Sequence, residues 1–223
     1  MKILTNFFTI LLLSLSLSVT GQNHFVGLKG GVNLNNRYTS IPNDKTDYST
    51  GFIGGLSYEY KLKKDYTLGI DFLYAQKGYS NKIIFTDDNG NPTGESVAVI
   101  FDFDYFSFPM KTGFTFGEKL IGFGNIGIIP SLLTKATVLD PAIEGLTEER
   151  KVNITKDYKK FDLGGLIEIG IAYKFGNRLQ TFTAIAFNHS FTSITTQIPF
   201  ESIKMYHYGM SISAGLKYAL RKE

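Results

Sequence analysis

The feature that most constrains this chain is a strict alternation of residue types over its last stretch, residues 206–220. The even positions are apolar or aromatic: Tyr206, Tyr208, Met210, Ile212, Ala214, Leu216, Tyr218 and Leu220. The odd positions down to 217 are polar or small: His207, Gly209, Ser211, Ser213, Gly215 and Lys217. A period of two predicts a β-strand with two unlike faces. Its length, with aromatic residues at both ends, is typical of a tilted strand that crosses a membrane.

Seven earlier stretches alternate in a similar way and are predicted as strands, at residues 24–34, 50–62, 66–85, 97–116, 119–133, 161–175 and 178–194. The connections between the eight strands alternate between long and short, beginning and ending with a long one. Single-chain outer-membrane barrels show this asymmetry, with short periplasmic turns and long extracellular loops. The sequence therefore predicts an all-β fold, an eight-stranded antiparallel up-and-down transmembrane β-barrel with both termini in the periplasm.

Two parts of the pattern depart from simple alternation. In the fourth stretch the apolar set changes from odd positions, ending at Tyr105, to even positions, beginning at Phe106, which predicts a β-bulge at residues 104–106. The fifth stretch is rich in glycine, and its phase is ambiguous. Residues 134–157 follow it and are predicted to form the longest irregular surface loop.

The N-terminus has the pattern of a secretory signal peptide. Lys2 supplies a basic start, residues 3–19 are uncharged and largely apolar, and small residues precede Gln22. An anchoring helix is the alternative, but the run is short and no basic stop-transfer cluster follows it. We therefore predict a cleaved signal peptide at residues 1–21 and a barrel domain at residues 22–223.

Composition narrows the classes of function. The chain has no cysteine, which excludes disulfides, thiolate metal sites and a cysteine nucleophile. Its formal charge of +3 is small and dispersed, so nucleic acid is not a predicted partner. A soluble lipocalin-like ligand binder is an alternative architecture, because alternation alone cannot distinguish apolar-in from apolar-out. The glycine on the polar faces and the aromatic residues at strand ends favour the membrane barrel.

Three short motifs resemble the PorT-like outer-membrane β-barrel family, small barrels of the OmpA or OmpX type. Residues 26–34 resemble its first strand, residues 104–114 its central motif with Pro109, and residues 209–218 its closing strand. The resemblance covers essentially the whole mature chain. It implies an eight-stranded outer-membrane barrel, linked in some members to protein secretion and gliding. The chain departs from the aromatic C-terminus common in such barrels, because it ends on Glu223.

The polar faces of the predicted strands carry charged residues that would point into the barrel lumen. They are Lys29, Glu59, Asp71, Lys77, Lys111, Asp162, Glu168, Lys174, His207 and Lys217. Charges in a narrow interior must pair, and an eight-stranded barrel is just filled by its own side chains. We therefore predict a structural network of ion pairs, with a gated pore or proton path as the alternative.

No catalytic, metal-binding or cofactor-binding residues are predicted. Asn188, His189 and Ser190 invite a hydrolase or acyltransferase interpretation, but adjacent residues of a strand point to opposite faces. The three histidines fall on separate strands. Residues 87–98 lack the glycine and the final acidic residue of a calcium loop.

Together these patterns predict a non-enzymatic outer-membrane barrel that serves as a surface-binding or secretion-associated scaffold. A small pore, a barrel enzyme and a soluble ligand binder are the alternatives. The predicted partners are outer-membrane lipid, the barrel-assembly machinery, and an extracellular or secretion-system protein that contacts the long loops. Residues 134–157 are the first choice for that contact, because they carry both signs of charge.

Overall fold

The computed structural model describes residues 24–42, 44–62, 65–87, 89–142, 148–196 and 203–220. They contain ten β-strands: β1 (His24–Thr39), β2 (Asp47–Lys61), β3 (Tyr66–Thr86), β4 (Pro92–Ser107), β5 (Met110–Phe116), β6 (Leu120–Asp140), β7 (Arg150–Asn153), β8 (Phe161–Phe175), β9 (Leu179–Ser190) and β10 (Met205–Leu220). A 3₁₀ helix, Thr155–Asp157, follows β7. In the described ranges no helix has the length and apolar character needed to cross a membrane. The predicted signal peptide, residues 1–21, lies outside them.

The strands pair side by side into a closed antiparallel ring. β10 returns to pair with β1 along its whole length, from His24↔Leu220 to Thr39↔Met205. β4 and β5 both lie between β3 and β6, so together they form one strand of the wall. β7 lies off the ring and pairs with β6. The ring therefore has eight wall positions, as the sequence predicted.

The fourth wall strand is interrupted at Phe108 and Pro109, where the sequence pattern predicted a continuous strand. Proline has no amide N–H to donate, so the ladder breaks there. Two hydrogen bonds bridge the gap. The Asp71 amide donates to the Pro109 carbonyl at 2.9 Å, and the Phe108 amide donates to the Pro130 carbonyl at 2.8 Å. The wall stays closed across the interruption.

Both described ends of the chain, His24 and Leu220, lie at one end of the ring, which we call the termini end. The three short turns are at this end, and the four long connections are at the opposite, loop end. Gly117 and Gly176 have φ angles of 95° and 67° in two of the short turns, a conformation that other residues rarely adopt. The predicted alternation of long and short connections is confirmed.

Apolar side chains cover the outside of the ring. Leu28 and Ile212 are 62% and 57% exposed, whereas their neighbours Lys29 and Ser211 are 8% and 5% exposed. A soluble barrel of the lipocalin type would place the apolar residues inside. The facing predicted from the sequence is therefore confirmed, and the apolar-in alternative is wrong.

A register shift is present at the predicted position of the β-bulge, but the extra residue lies in the partner strand β6, and β4 keeps its alternation. Phe103 and Tyr105 point into the ring and are fully buried, whereas Phe106 is exposed on the outside. The pairing of β4 with β6 shifts opposite Asp104, so the extra residue is Thr134 in β6. The Thr134 hydroxyl donates to the Asp104 carbonyl at 2.9 Å. Along β4 the apolar residues pass from the inner face to the outer face, because the lumen is apolar near the loop end and polar farther down.

The segment 134–157 is largely regular structure, contrary to the sequence prediction of an irregular loop. β6 continues to Asp140, and β7 pairs back with it up to Asp140↔Arg150. The Ile154 amide donates to the Ala136 carbonyl at 2.9 Å and extends this hairpin. Residues 143–147 lie outside the described residues. What was predicted as a loop is a β-hairpin that rises above the ring.

A substitution at Gly215 tests how closely the inner side of the wall is packed. A Cβ at this position would lie 2.1 Å from the Leu28 carbonyl oxygen and 2.6 Å from the Phe182 ring. We expect Gly215→Ala to destabilise the barrel by about 1–3 kcal/mol, because the backbone of β1 would have to shift. The measurement is the temperature at which unboiled protein loses its faster-migrating band on an SDS gel. Gly30→Ala is the control, since its Cβ would lie 3.9 Å from the Ile53 carbonyl oxygen; equal losses for both variants would contradict the packing.

Candidate functional site in the lumen

Four charged side chains meet at the centre of the lumen and form what we call the quartet: Lys29, Asp71, Lys111 and Glu168. The Lys29 ammonium lies 2.5 Å from one Glu168 oxygen and 3.5 Å from Asp71. The Lys111 ammonium lies 2.8 Å from Asp71 and 3.2 Å from the other Glu168 oxygen. Asn125 donates its amide to Glu168 at 2.8 Å. Each cation contacts both anions, so the quartet is neutral and every charge is compensated.

A second ion pair lies below the quartet, toward the termini end. The Lys217 ammonium is 2.5 Å from a Glu59 oxygen. It also lies 4.9 Å from the centre of the Phe182 ring and 5.5 Å from that of Phe123. Rings at this distance attract a cation through their electron-rich faces. The pair and its two rings fill the lower lumen.

A third charged layer lies above the quartet and is centred on Asp162. Its carboxylate accepts hydrogen bonds from Lys77 at 2.9 Å, Ser190 at 2.8 Å and Thr192 at 3.1 Å. Lys77 also lies 4.7 Å from the centre of the Tyr105 ring. Asp162 is fully buried, and three donors offset the cost of removing its charge from water.

Two of the predicted network residues make no ion pair among the described residues. His207 is buried next to the upper layer, with its ring 4.9 Å from that of Phe103 and 5.8 Å from that of Tyr105, and neither ring nitrogen has a hydrogen-bond partner in the described ranges. Lys174 lies near the termini end of β8 and is only partly buried. The structure therefore brings together the other eight residues in three separate layers rather than in one continuous network.

An aromatic plug closes the loop end of the lumen. Its buried members are Tyr79, Phe103, Tyr105, Leu133, Ala136 and Ile194. Tyr79 stacks on Phe101 with ring centres 4.7 Å apart, and Phe103 meets Tyr158 edge to face at 4.8 Å. These rings pack against one another across the loop end of the lumen, above the Asp162 layer.

Three loops are fastened to the plug. The Ile194 amide donates to the Met205 carbonyl at 2.9 Å, and the Lys159 amide donates to the Ile194 carbonyl at 2.8 Å. Arg37 lies 4.4 Å from the centre of the Tyr79 ring and 2.7 Å from the Asp44 carboxylate. The described parts of three loops, at 40–42 and 44–46, at 154–160, and at 191–196 and 203–204, are thus held against one apolar core.

Sequence reasoning missed the plug. The predicted β-bulge at residues 104–106 places the odd-numbered aromatic residues of β4 on the outer face, whereas Phe103 and Tyr105 lie inside. One signal could have revealed the error. Asp102 and Asp104 occupy the opposite face of the same segment, and carboxylates there would suit solvent above a membrane better than a packed interior.

The geometry separates the two side chains on which the hydrolase interpretation rests. His189 is exposed on the outer face opposite Gly165 and Tyr208, while Ser190 points inward and donates to Asp162. A serine nucleophile needs a base within hydrogen-bond reach. In the described ranges no three His, Cys, Asp or Glu residues are grouped as metal ligands.

The hairpin between β3 and β4 resembles a calcium loop only in sequence. Asp87 accepts hydrogen bonds from the amides of Asn89 at 2.9 Å and Asn91 at 2.8 Å. Backbone hydrogen bonds from Asn91 are the main cause that holds the pKa of Asp87 below its usual value. This carboxylate therefore closes its own turn.

A closed antiparallel ring with an apolar exterior and a charged interior defines the class of transmembrane β-barrels. Residues 20–196 match a family model described as outer membrane protein beta-barrel domain. The chain belongs to this family, and membership gives it an outer-membrane location in contact with lipid. No curated protein sequence matches the chain.

Three solved outer-membrane proteins are similar to this chain. Neisserial surface protein A is 14% identical with a TM-score of 0.51, over 88% of this chain and 97% of that one. OprG of Pseudomonas aeruginosa is 10% identical with a TM-score of 0.49, over 91% and 98%. The outer membrane protease OmpT of Escherichia coli is 12% identical with a TM-score of 0.46, over 92% and 99%. At 14% identity the likeness to Neisserial surface protein A shows the fold alone.

Proposed function

We propose that this chain is a closed, non-enzymatic outer-membrane scaffold that presents its loop end to a protein partner at the cell surface. The observation that supports this most is that the lumen is filled twice in series. The quartet occupies its centre, and the aromatic plug occupies its loop end. A lumen blocked in this way leaves the loops as the surface on which function can reside.

The proposed orientation has both termini and the short turns in the periplasm and the long loops outside. The asymmetry of the connections supports it, because single-chain barrels of bacteria share this arrangement. A signal peptide at residues 1–21 would direct the chain to secretion, and the barrel-assembly machinery would insert it. Lipid contacts the apolar outer face.

The described parts of three loops are suited to binding because they are held in place before a partner arrives. Ile194, Arg37 and Lys159 fasten them to the plug, so a partner would order few additional residues on binding. The resemblance to PorT-like barrels supports a component of a secretion or gliding apparatus as that partner. The β6–β7 hairpin is the first candidate surface, since it rises above the ring and carries exposed Arg150 and Lys151.

A small pore is the second candidate function, favoured by the charged lumen. Planar-bilayer recordings distinguish the two. We expect no steady conductance from the folded wild-type chain, because the quartet and the plug both block the axis. Reproducible single-channel steps, in a preparation whose unboiled band migrates as folded barrel, would favour the pore.

Removal of the hairpin tip tests the binding surface. We expect deletion of residues 141–149 to leave insertion and heat-modifiable migration intact, because shortening a loop changes closure entropy little. The same deletion should reproduce the phenotype of a full knockout. The scaffold proposal fails if the deletion strain behaves as wild type while Asp71 or Glu168 substitutions reproduce the knockout without unfolding the barrel.

A further inference from the structure

The hairpin formed by β3 and β4 rises above the ring at the loop end. β2 pairs with β3 only as far as Asp47↔Ser80. Residues 81–86 of β3 continue beyond this point and, among the described residues, pair on one side only, with β4. We call the other side of residues 81–86 the free edge. An open strand edge of this kind can pair with another extended chain.

The backbone groups of Lys82 and Ile84 point toward the free edge. The odd-numbered residues of β3 bond to the fourth wall strand, because the Asp71 amide donates to the Pro109 carbonyl at 2.9 Å. The pairing of β3 with β4 keeps one register up to Ile84↔Ser96, so the same alternation continues into the hairpin. The even-numbered residues therefore direct their N–H and C=O groups away from β4.

The free edge also exposes two large apolar side chains, Ile83 at 49% and Ile84 at 56%. They lie on opposite faces of the strand. Lipid does not reach them, because Tyr74 is the last outward residue of the apolar band on β3 and positions 76, 78, 80 and 82 are polar or small. Ile84 lies about 33 Å beyond Tyr74 along the strand. Apolar side chains exposed together above the membrane mark a surface for a partner.

A second open edge at the loop end is protected against pairing. β7 is short, at four residues, and pairs only with β6 in the ranges that the structure describes. It carries Arg150 and Lys151, whose side chains are 75% and 56% exposed. Short length and charge are the usual means by which a protein prevents pairing at an edge. Lys82 is the one charged residue of the sequence at positions 81–86, so the free edge of β3 lacks this protection.

A second copy of this chain does not fit the free edge. Two copies in one membrane are related by a rotation about the membrane normal. Their β3 strands both rise toward the loop end, so they would cross at twice the strand tilt, roughly 70–90°. Neighbouring strands of a sheet differ by only about 20–25°, so the two copies cannot form a ladder. The occupant that fits is a strand of another protein.

We propose that the free edge of β3 is a docking site for an extended segment of another protein, which adds to the hairpin as an antiparallel strand. Main-chain hydrogen bonds to Lys82 and Ile84 hold the segment, and its side chains supply specificity. Read from its N-terminus, the segment has apolar residues opposite Ile84 and Ile83 and an acidic residue opposite Lys82. The inference rests on the proposed function, since it supplies a surface and a class of partner for the scaffold.

Peptide binding to the full mature chain in lipid nanodiscs tests the site. The probe is a synthetic peptide with the central order valine, valine, aspartate, flanked by threonines. We expect it to slow hydrogen exchange of the Lys82 and Ile84 amides at least about tenfold, and to leave the Lys151 and Asn153 amides of β7 unchanged. The control is the same peptide with N-methylated central amides, which keeps the side chains but cannot complete the ladder.

Two results of this experiment would overturn the proposal. One is the absence of protection at Lys82 and Ile84 with saturating peptide. The other is equal protection by the N-methylated peptide, because binding would then not be strand addition. Either result leaves the closed scaffold standing, whereas steady conductance would remove the scaffold without changing the peptide result.

A substitution at Ile84 tests the ladder from the side of the barrel. Ile84→Pro removes an amide that points to the free edge and no hydrogen bond to β4, so unboiled protein should migrate as wild type. The peptide should bind at least about tenfold more weakly. Ile84→Val, which keeps the amide and a β-branched side chain, should bind within about twofold of wild type. Wild-type affinity in folded Ile84→Pro would contradict strand addition.

Reversal of one charge gives a test that leaves the backbone unchanged. Lys82→Glu should weaken binding of the aspartate peptide severalfold, because like charges would then lie opposite each other. A peptide with lysine in place of aspartate should recover the affinity. If the variant binds both peptides equally, the proposed order of side chains is wrong.

The absence of cysteine allows a direct test for a second copy. Ile84→Cys places a single thiol on the free edge, and Lys151→Cys places one on the β7 edge. After oxidation in lipid vesicles, we expect no more disulfide-linked dimer from Ile84→Cys than from Lys151→Cys. A dimer specific to Ile84→Cys would make a second copy the occupant and overturn the proposal.

Discussion

Replacing Glu168 by Gln is expected to destabilise the barrel by about 3–5 kcal/mol, the usual cost of removing one partner from a buried ion cluster. Glu168 is 2% exposed and contacts both Lys29 and Lys111. Its neutral amide would leave two ammonium groups facing the single carboxylate of Asp71. The measurement is the free energy of unfolding in urea, followed by the loss of the fast-migrating band.

Two comparisons separate charge from shape in this experiment. Glu168→Gln combined with Lys29→Met removes one charge of each sign, so most of the lost stability should return. Glu59→Gln, in the pair with Lys217 that solvent partly reaches, should cost clearly less than Glu168→Gln. If Glu168→Gln alone unfolds at the same urea concentration as wild type, the quartet does not stabilise the fold.

Replacing Ile212 by Lys is expected to block membrane insertion, at a cost of about 2–4 kcal/mol for a cation near the middle of the bilayer. Ile212 is flanked across the wall by Val32 and Ile185, which are also exposed on the outer face. The new ammonium would have no partner within this apolar band. The measurement is the folded fraction after refolding into lipid vesicles, read from heat-modifiable migration.

The control for this substitution is Ile212→Val, which keeps an apolar side chain and should insert normally. Ser211→Lys provides a contrast, since it would crowd the buried lumen rather than charge the outer face. An Ile212→Lys variant that inserts as well as wild type in vesicles and in detergent micelles would contradict the assigned facing.

The wall of the barrel could be predicted from the sequence because its signal is local. Alternation between Ile212 and Ser211, or between Leu28 and Lys29, assigns two faces without any knowledge of the neighbouring strands. The lengths of the connections then gave the number and order of strands. The same alternation predicted that the four charged side chains of the quartet point inward.

The pairing of those charges could not be predicted in the same way. Lys29 and Glu168 are 139 residues apart, and parity states only that both point inward. Which cation meets which anion depends on the register of strands across the ring. For the same reason His207 and Lys174, which have the correct parity, do not join the ion pairs of the described residues.

Which face of each strand is buried at the loop end is determined by the tertiary structure alone. In the middle of the wall, lipid makes the outer face apolar, but above that band solvent lies outside and the interior becomes the apolar side. Phe103 and Tyr105 therefore turn inward while keeping the strand's parity, and the one-residue shift is taken up by Thr134 in β6. The sequence determines which residues share a face of a strand. The surroundings of that face, which change along the barrel axis, determine whether it meets lipid, water or the core.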